Sequence, residues 1–268
     1  MLLSGKRSRP RECVRSHRAV LSTWLTKTSE SAMSYAVPVC ALILLFAGVV
    51  ARAQDAVIES TKAARDVAPA ADPSLRFWRE ARPIWVDKGK HGESQESYRT
   101  EIRSRWTEKN LYLLFICPYE ELNLKPSPIT TEETYQLWDW DVAEVFIGSD
   151  FDNIRRYKEF EMSPRGEWID LDIDLTKPHH EDGWKWNSGF TVAARIDPVA
   201  KIWYGAMRIP FSALQDHPPA KDETLRVNFF RSQGALPNRV QIAWQPTMSE
   251  TFHVPEKFGL LRLTDSVK

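Results

Sequence analysis

A chain of 268 residues with 43% hydrophobic and 27% charged side chains has the balance of a globular protein, which excludes a disordered, collagen-like or polytopic membrane chain. The formal net charge of +0 conceals an asymmetry, because residues 1–53 carry eight Lys or Arg and two acids, leaving 28 basic against 34 acidic side chains beyond them. An acidic body repels phosphate backbones, and no basic cluster interleaved with aromatics offsets this, so the composition argues against a nucleic-acid partner. Of eleven tryptophans, Trp24 alone falls in the first 53 residues, and the excess in the remainder calls for an explanation.

In chain order, the first element is an apolar run of fifteen residues, 36–50, interrupted by Pro38 and followed by Ala51-Arg52-Ala53. Residues 1–53 read as a signal peptide with a basic n-region. The run is shorter than the ~20 residues a bilayer-spanning helix needs, and the small residues at 51 and 53 suit a signal peptidase. The expectation is cleavage near Ala53, no stable membrane anchor, and an exported product, periplasmic or extracellular. Cys13 and Cys40 belong to this leader, so Cys117 is left without an intrachain disulfide partner and reads as packing.

Residues 54–73, rich in Ala, Asp and Pro, read as a linker, 74–264 as one domain, and 265–268 as a tail. Within the domain the apolar spacing predicts strands at 100–106, 111–117, 142–147, 157–162, 167–175, 190–196, 202–209, 224–231, 240–244 and 258–263, with a helical turn at 212–215. Strands in succession without intervening helices predict an all-β fold, a two-sheet antiparallel β-sandwich.

A four-residue turn at Ser163-Pro164-Arg165-Gly166 would set Glu161 opposite Trp168, Phe160 opposite Ile169 and Glu159 opposite Asp170. Phe160, Ile169, Leu171 and Ile173 then share the core face, and Glu159, Glu161, Trp168, Asp170, Asp172 and Asp174 the other. Facing carboxylates repel unless a cation sits among them. Glu159, Asp170 and Asp172 are thus candidate ligands of a structural Ca2+, with Asp139 and Asp141 in a second acidic cluster, although neither has the spacing of an EF-hand. A solvated acidic face is the alternative.

No Gly-x-Ser-x-Gly or His-Glu-x-x-His motif marks a catalytic centre, so no catalytic residue is assigned. Paired carboxylates leave a glycoside hydrolase open, with Glu144 and Asp170 as the acids. The segment Leu137-Trp138-Asp139-Trp140-Asp141 runs straight into the strand at 142–147. Indole planes beside acceptors suit a pyranose, whose C–H face packs on an aromatic ring while its hydroxyls need hydrogen-bond partners. Glu144, on the strand face of Val142 and Phe146, must find a partner in Arg165 or a ligand hydroxyl. Packing of Trp138 or Trp140 in the core is the alternative.

The order Trp138-Asp139-Trp140-Asp141, Glu144-Val145-Phe146-Ile147, Phe160-Glu161-Met162-Ser163-Pro164-Arg165-Gly166, Arg226-Val227-Asn228-Phe229-Phe230-Arg231, Trp244-Gln245-Pro246-Thr247 and Phe252-His253-Val254-Pro255-Glu256-Lys257-Phe258-Gly259 resembles the family 9 carbohydrate-binding modules. The resemblance implies a β-sandwich of the DOMON-like group, with bound calcium ions. It also implies capture of glucose or xylose units, at reducing ends of polysaccharides such as xylan and cellulose, between two tryptophans. Carried over, Trp138 or Trp140 is one wall of the clamp, Trp244 with Asn238 the other, Glu144 the carboxylate on the sugar and Arg165 the cationic donor. The function expected is non-catalytic saccharide binding in polysaccharide catabolism, with glycanases as partners in trans and no organic cofactor. A haem-binding relative in the same fold group, with iron ligands drawn from Met162, Met207 or Met248, is the remaining alternative.

Overall fold

The computed structural model describes residues 56–265, so the leader assigned to 1–53 lies outside the described residues. The strands are β1 (Val57–Lys62), β2 (Pro83–Val86), β3 (Lys88–Gly89), β4 (Thr100–Trp106), β5 (Asn110–Pro118), β6 (Val142–Gly148) and β7 (Arg156–Met162). They continue with β8 (Trp168–Asp174), β9 (Thr191–Asp197), β10 (Ile202–Pro210), β11 (Thr224–Gln233), β12 (Val240–Ala243) and β13 (Gly259–Thr264). The one α-helix among the described residues is a single turn, Arg76–Arg79, and the turn expected after Pro210 is a 3-10 helix over Phe211–Ala213.

Hydrogen bonding orders the strands β8-β7-β6-β11-β13-β1-β4-β5-β10-β9, with β12 beside β11, β2 beside β4 and β3 against β12. The right-handed twist of so long a sheet curls it until its two ends face each other. Phe115 of β5 thereby meets Phe229 of β11 edge-on, ring centroids 6.1 Å apart. Met162 of β7 fits over Gly205 of β10, where an added Cβ would lie 2.2 Å from its Cε, so that the layers close on a residue without a side chain. The result is the all-β sandwich expected from the strand pattern.

Two expectations are corrected. Residues 57–62 are not part of a linker: they form β1, whose Ile58, Ser60 and Thr61 are buried. Ser104 Oγ and Ser60 Oγ are hydrogen-bonded at 2.8 Å across the strand boundary. Nor is the sheet purely antiparallel, because β1 runs parallel to both β13 and β4. Its apolar content is low, and it is stabilised by neighbours on both sides, which a window of local sequence does not register.

Every residue of β6 is buried. Ala143, Val145 and Ile147 enter the core between the layers, while Val142 and Phe146 join a second apolar cluster with Tyr157, Ile169, Leu171, Phe230 and Phe252. A strand buried on both faces needs a cover on its outer side. Here the cover comes from loops that contribute Leu137, Trp138, Trp184 and Phe252 to that second cluster.

Candidate functional site

The outer face of β6 and β7 is set by register. Glu144 pairs with Glu161 and Phe146 with Glu159, while Phe230 of β11 lies on the other side of Glu144. The hairpin turn is one residue shorter than expected, since Ser163 N–H donates to Glu167 O at 2.9 Å and leaves Pro164-Arg165-Gly166 between the pair. The β7–β8 register therefore moves by one, to Glu161 opposite Ile169, Phe160 opposite Asp170 and Glu159 opposite Leu171. A slip of one exchanges the faces relative to the partner strand. Glu159 and Glu161 thus share their face with Ile169 and Leu171, and Asp170 and Asp172 lie on the opposite one. The buried Ser163 and Glu167 side chains, hydrogen-bonded at 2.5 Å, hold this tighter turn.

Above Glu144, Glu159 and Glu161 opens a cavity of about 480 Å³ whose walls include Tyr135, Trp138, His180, Phe252 and His253, with Ser232, Gln241 and Glu250 as further polar lining. Its carboxylate floor is buried: Glu161 is 0% exposed, Glu144 3% and Glu159 4%. Among the described residues one donor reaches it, Ser232 Oγ at 3.4 Å from Glu144 Oε1, and both oxygens of Glu161 and Oε2 of Glu159 have no hydrogen-bond partner there. Burial, compounded by the Glu159 charge, pushes the Glu144 carboxyl up to about 8. Burial also pushes Glu159 up to about 7. Glu161 is raised well above the ordinary carboxylate value by burial first and by both neighbours second.

The aromatic wall is positioned by the 3-10 turn Leu137–Asp139, which follows Gln136 in the left-handed conformation (φ 61°). Leu137 anchors the turn in the apolar cluster. Arg239 then ties it down by donating to the carbonyls of Trp138 at 2.6 Å, Trp140 at 2.5 Å and Asp139 at 2.7 Å. Tyr135 packs edge-on against Trp138, centroids 5.5 Å apart, and against Trp184 at 5.1 Å. Across the cavity His253 stacks on Phe146 at 5.2 Å and touches His180 at 4.5 Å. Burial lowers His253 to about 4, so its ring is neutral near pH 7.

Of the residues singled out in the sequence, the structure brings together Trp138, Glu144 and Glu159. Trp140, half-buried, is held by its carbonyl and does not line the cavity. Trp244 packs on Phe229 with centroids 5.6 Å apart and over Gly259, so it belongs to the inter-layer core and is not the wall opposite Trp138. Arg165 is exposed at the hairpin tip and donates to Lys125 O at 3.3 Å; it does not meet Glu144. Asn238 lines a separate cleft with Tyr98, Glu121 and Asn123.

The five carboxylates suggested for calcium do not converge. Asp141 is taken by the backbone N–H groups of Asn123 and Gly234 and by Gln233 Nε2. Asp139 is exposed. Asp170 accepts from Ser188 Oγ at 2.6 Å, and Asp172 pairs with Lys158 at 2.6 Å. Met162 and Met207 are fully buried between the layers, and Met248 is exposed. Sequence reasoning missed Tyr135, His180, Gln241, Phe252, His253 and Arg239 as parts of one site, because they come from several loops and strands far apart in the chain. Only the unbalanced acids around Glu161 were a signal.

A model of the family described as carbohydrate family 9 binding domain-like matches residues 75–266. The chain belongs to this family. Among solved structures, this family 9 chain resembles a candidate carbohydrate-binding protein from Bacteroides uniformis, with a TM-score of 0.62 and 16% identity over 78% of this chain and 100% of that one. It also resembles a family 9 carbohydrate-binding module from Caldicellulosiruptor kristjanssonii in complex with glucose, with a TM-score of 0.55 and 14% identity over 80% of this chain and 98% of that one. A structure of such a module from the same organism in complex with cellotriose gives a TM-score of 0.55 at 15% identity, over 80% and 96% of the two chains. At these identities the likeness is one of fold. A curated relative, an extracellular protein of Arthroderma benhamiae, is 24% identical over 60% of this chain and 76% of its own length.

Proposed function

We propose that the cavity above Glu144 binds a saccharide without cleaving it, as the recognition step of polysaccharide use outside the cytoplasm. The observation that carries this reading is the pairing of an aromatic wall, Tyr135 and Trp138, with a carboxyl floor in a cavity of about 480 Å³. A pyranose can lay its C–H face on the wall and donate its hydroxyls to Glu144 and Gln241. In this reading Phe252 and His253, which line the same cavity as Trp138, take the place of the second tryptophan expected from the sequence.

Family membership, together with the glucose and cellotriose held by the Caldicellulosiruptor modules, supports a glucose-type ligand such as a cellulose chain presents. The extracellular relative supports export, and action beside glycanases follows from such a role. Three acids that project from one sheet face toward a single point do not flank a glycosidic bond from two sides, which favours binding over hydrolysis.

The test is calorimetric titration with glucose, cellobiose, cellotriose and xylobiose. A ring stack and a few hydrogen bonds give Kd values on the order of micromolar or weaker. Trp138→Ala and Glu144→Gln are expected to weaken binding about tenfold or more, and Trp244→Ala to act on stability alone. Equal affinity in wild type, Trp138→Ala and Glu144→Gln would place any sugar elsewhere, and release of reducing sugar from cellotriose would make the protein a hydrolase.

A further inference from the structure

We infer that Glu144, Glu159 and Glu161 together hold a hard divalent cation, calcium foremost, at the floor of the aromatic cavity. Glu144 and Glu161 are direct cross-strand partners, and Glu159 follows two positions along β7 on the same face. One carboxylate oxygen from each lies within 4.8 Å of the other two, a span that one ion bound at ~2.3–2.6 Å to each oxygen can bridge.

A second observation points to a ligand independently of this clustering. Glu161 is 0% exposed and, among the described residues, neither of its oxygens has a donor. Oε2 of Glu159, itself 4% exposed, is likewise without a partner. Carboxylates facing each other across two strands repel; the Arg239 charge offsets part of this at Glu144 and Glu161, but no cation donates to the three carboxylates among the described residues. Arg239 is committed to the carbonyls of residues 138–140, and Lys158 to Asp172 on the other face.

The donor set selects the ion. It is all oxygen, and among the described residues no histidine nitrogen joins the three carboxylates at that range. His253 Nδ1 is already hydrogen-bonded to the Tyr157 hydroxyl at 2.6 Å. Oxygen-only sets suit calcium, magnesium or manganese rather than zinc or copper. Three side chains leave coordination positions on the cavity side for water or a ligand hydroxyl. The inference goes beyond the saccharide reading and does not depend on it.

The experiment is titration of the chelator-treated protein with CaCl2 by calorimetry, without sugar, alongside terbium luminescence excited through tryptophan. One ion per chain is expected, with affinity reduced tenfold or more in Glu161→Gln and Glu159→Gln and unchanged in Asp172→Asn. Terbium emission is expected to fall in Trp138→Phe, whose ring lines the same cavity. The absence of any heat with calcium, magnesium or manganese in wild type overturns the inference, as does undiminished binding in both glutamine variants. Should those two variants fail to fold by circular dichroism, terbium emission decides. Emission that is absent in wild type, or unaltered in Trp138→Phe, removes the ion from this cavity.

Discussion

At the scale of single residues, the neutral ring of His253 carries a consequence for acid stability. It stacks on Phe146, meets His180 edge-on and is hydrogen-bonded to the Tyr157 hydroxyl. Burial, with His180 as a lesser cause, lowers it from the ordinary 6.5 to about 4. Between those values the unfolded chain takes up a proton that the folded chain refuses. The contribution is therefore fully present above pH 6.5 and is lost as pH falls toward 4, by roughly 3 kcal/mol in total. Urea unfolding at pH 7, 5.5 and 4.5 should show this loss, and His253→Phe should flatten the His253 part of the slope. An identical slope in the variant would assign the acid sensitivity to other groups. The histidine was visible in the closing motif, but nothing local to it announced burial, since Phe146, Tyr157 and His180 come from three other parts of the chain.

At the scale of elements, the join between β13 and β1 depends on Gly259. A Cβ there would lie 2.6 Å from the Ala56 carbonyl oxygen and 2.6 Å from Trp244 Cζ3. The first obstacle is backbone, held by Leu260 N–H donating to Ala56 O at 2.9 Å, and cannot step aside. Gly259→Ala is expected to cost about 2 kcal/mol as overpacking, read as a lower urea midpoint with unchanged slope; an unaltered midpoint would mean that the strands separate freely. The same packing explains why Trp244 was misplaced from sequence. A tryptophan four residues after the start of a short strand looks alike whether it faces a ligand or a glycine. The β7–β8 hairpin differs for a similar reason, because Ser163-Pro164-Arg165-Gly166 matches a four-residue turn, and the hydrogen bonds of Ser163 to Glu167 that tighten it to three cannot be read locally.

At the scale of the whole molecule, β1 sits in the middle of the strand order and connects β13, and through it β11, to β4 and β5. If residues 57–62 were a tether, Ile58→Ala would change little. Ile58 is 0% exposed in the main core, so the substitution is expected to cost about 3 kcal/mol in equilibrium unfolding. By itself the sequence determined the all-β class, the positions of ten strands and the family, because side-chain alternation and turn residues act over a few neighbours and leave a local imprint. It also placed Trp138 and Glu144 as partners, six residues apart across one turn. The tertiary structure alone decided that β1 is a parallel central strand, that Phe252 and His253 rather than Trp244 line the cavity with Trp138, and that Glu144, Glu159 and Glu161 converge. Those outcomes depend on strand order and on a register slip of one residue, and both are settled by packing between segments far apart in the chain.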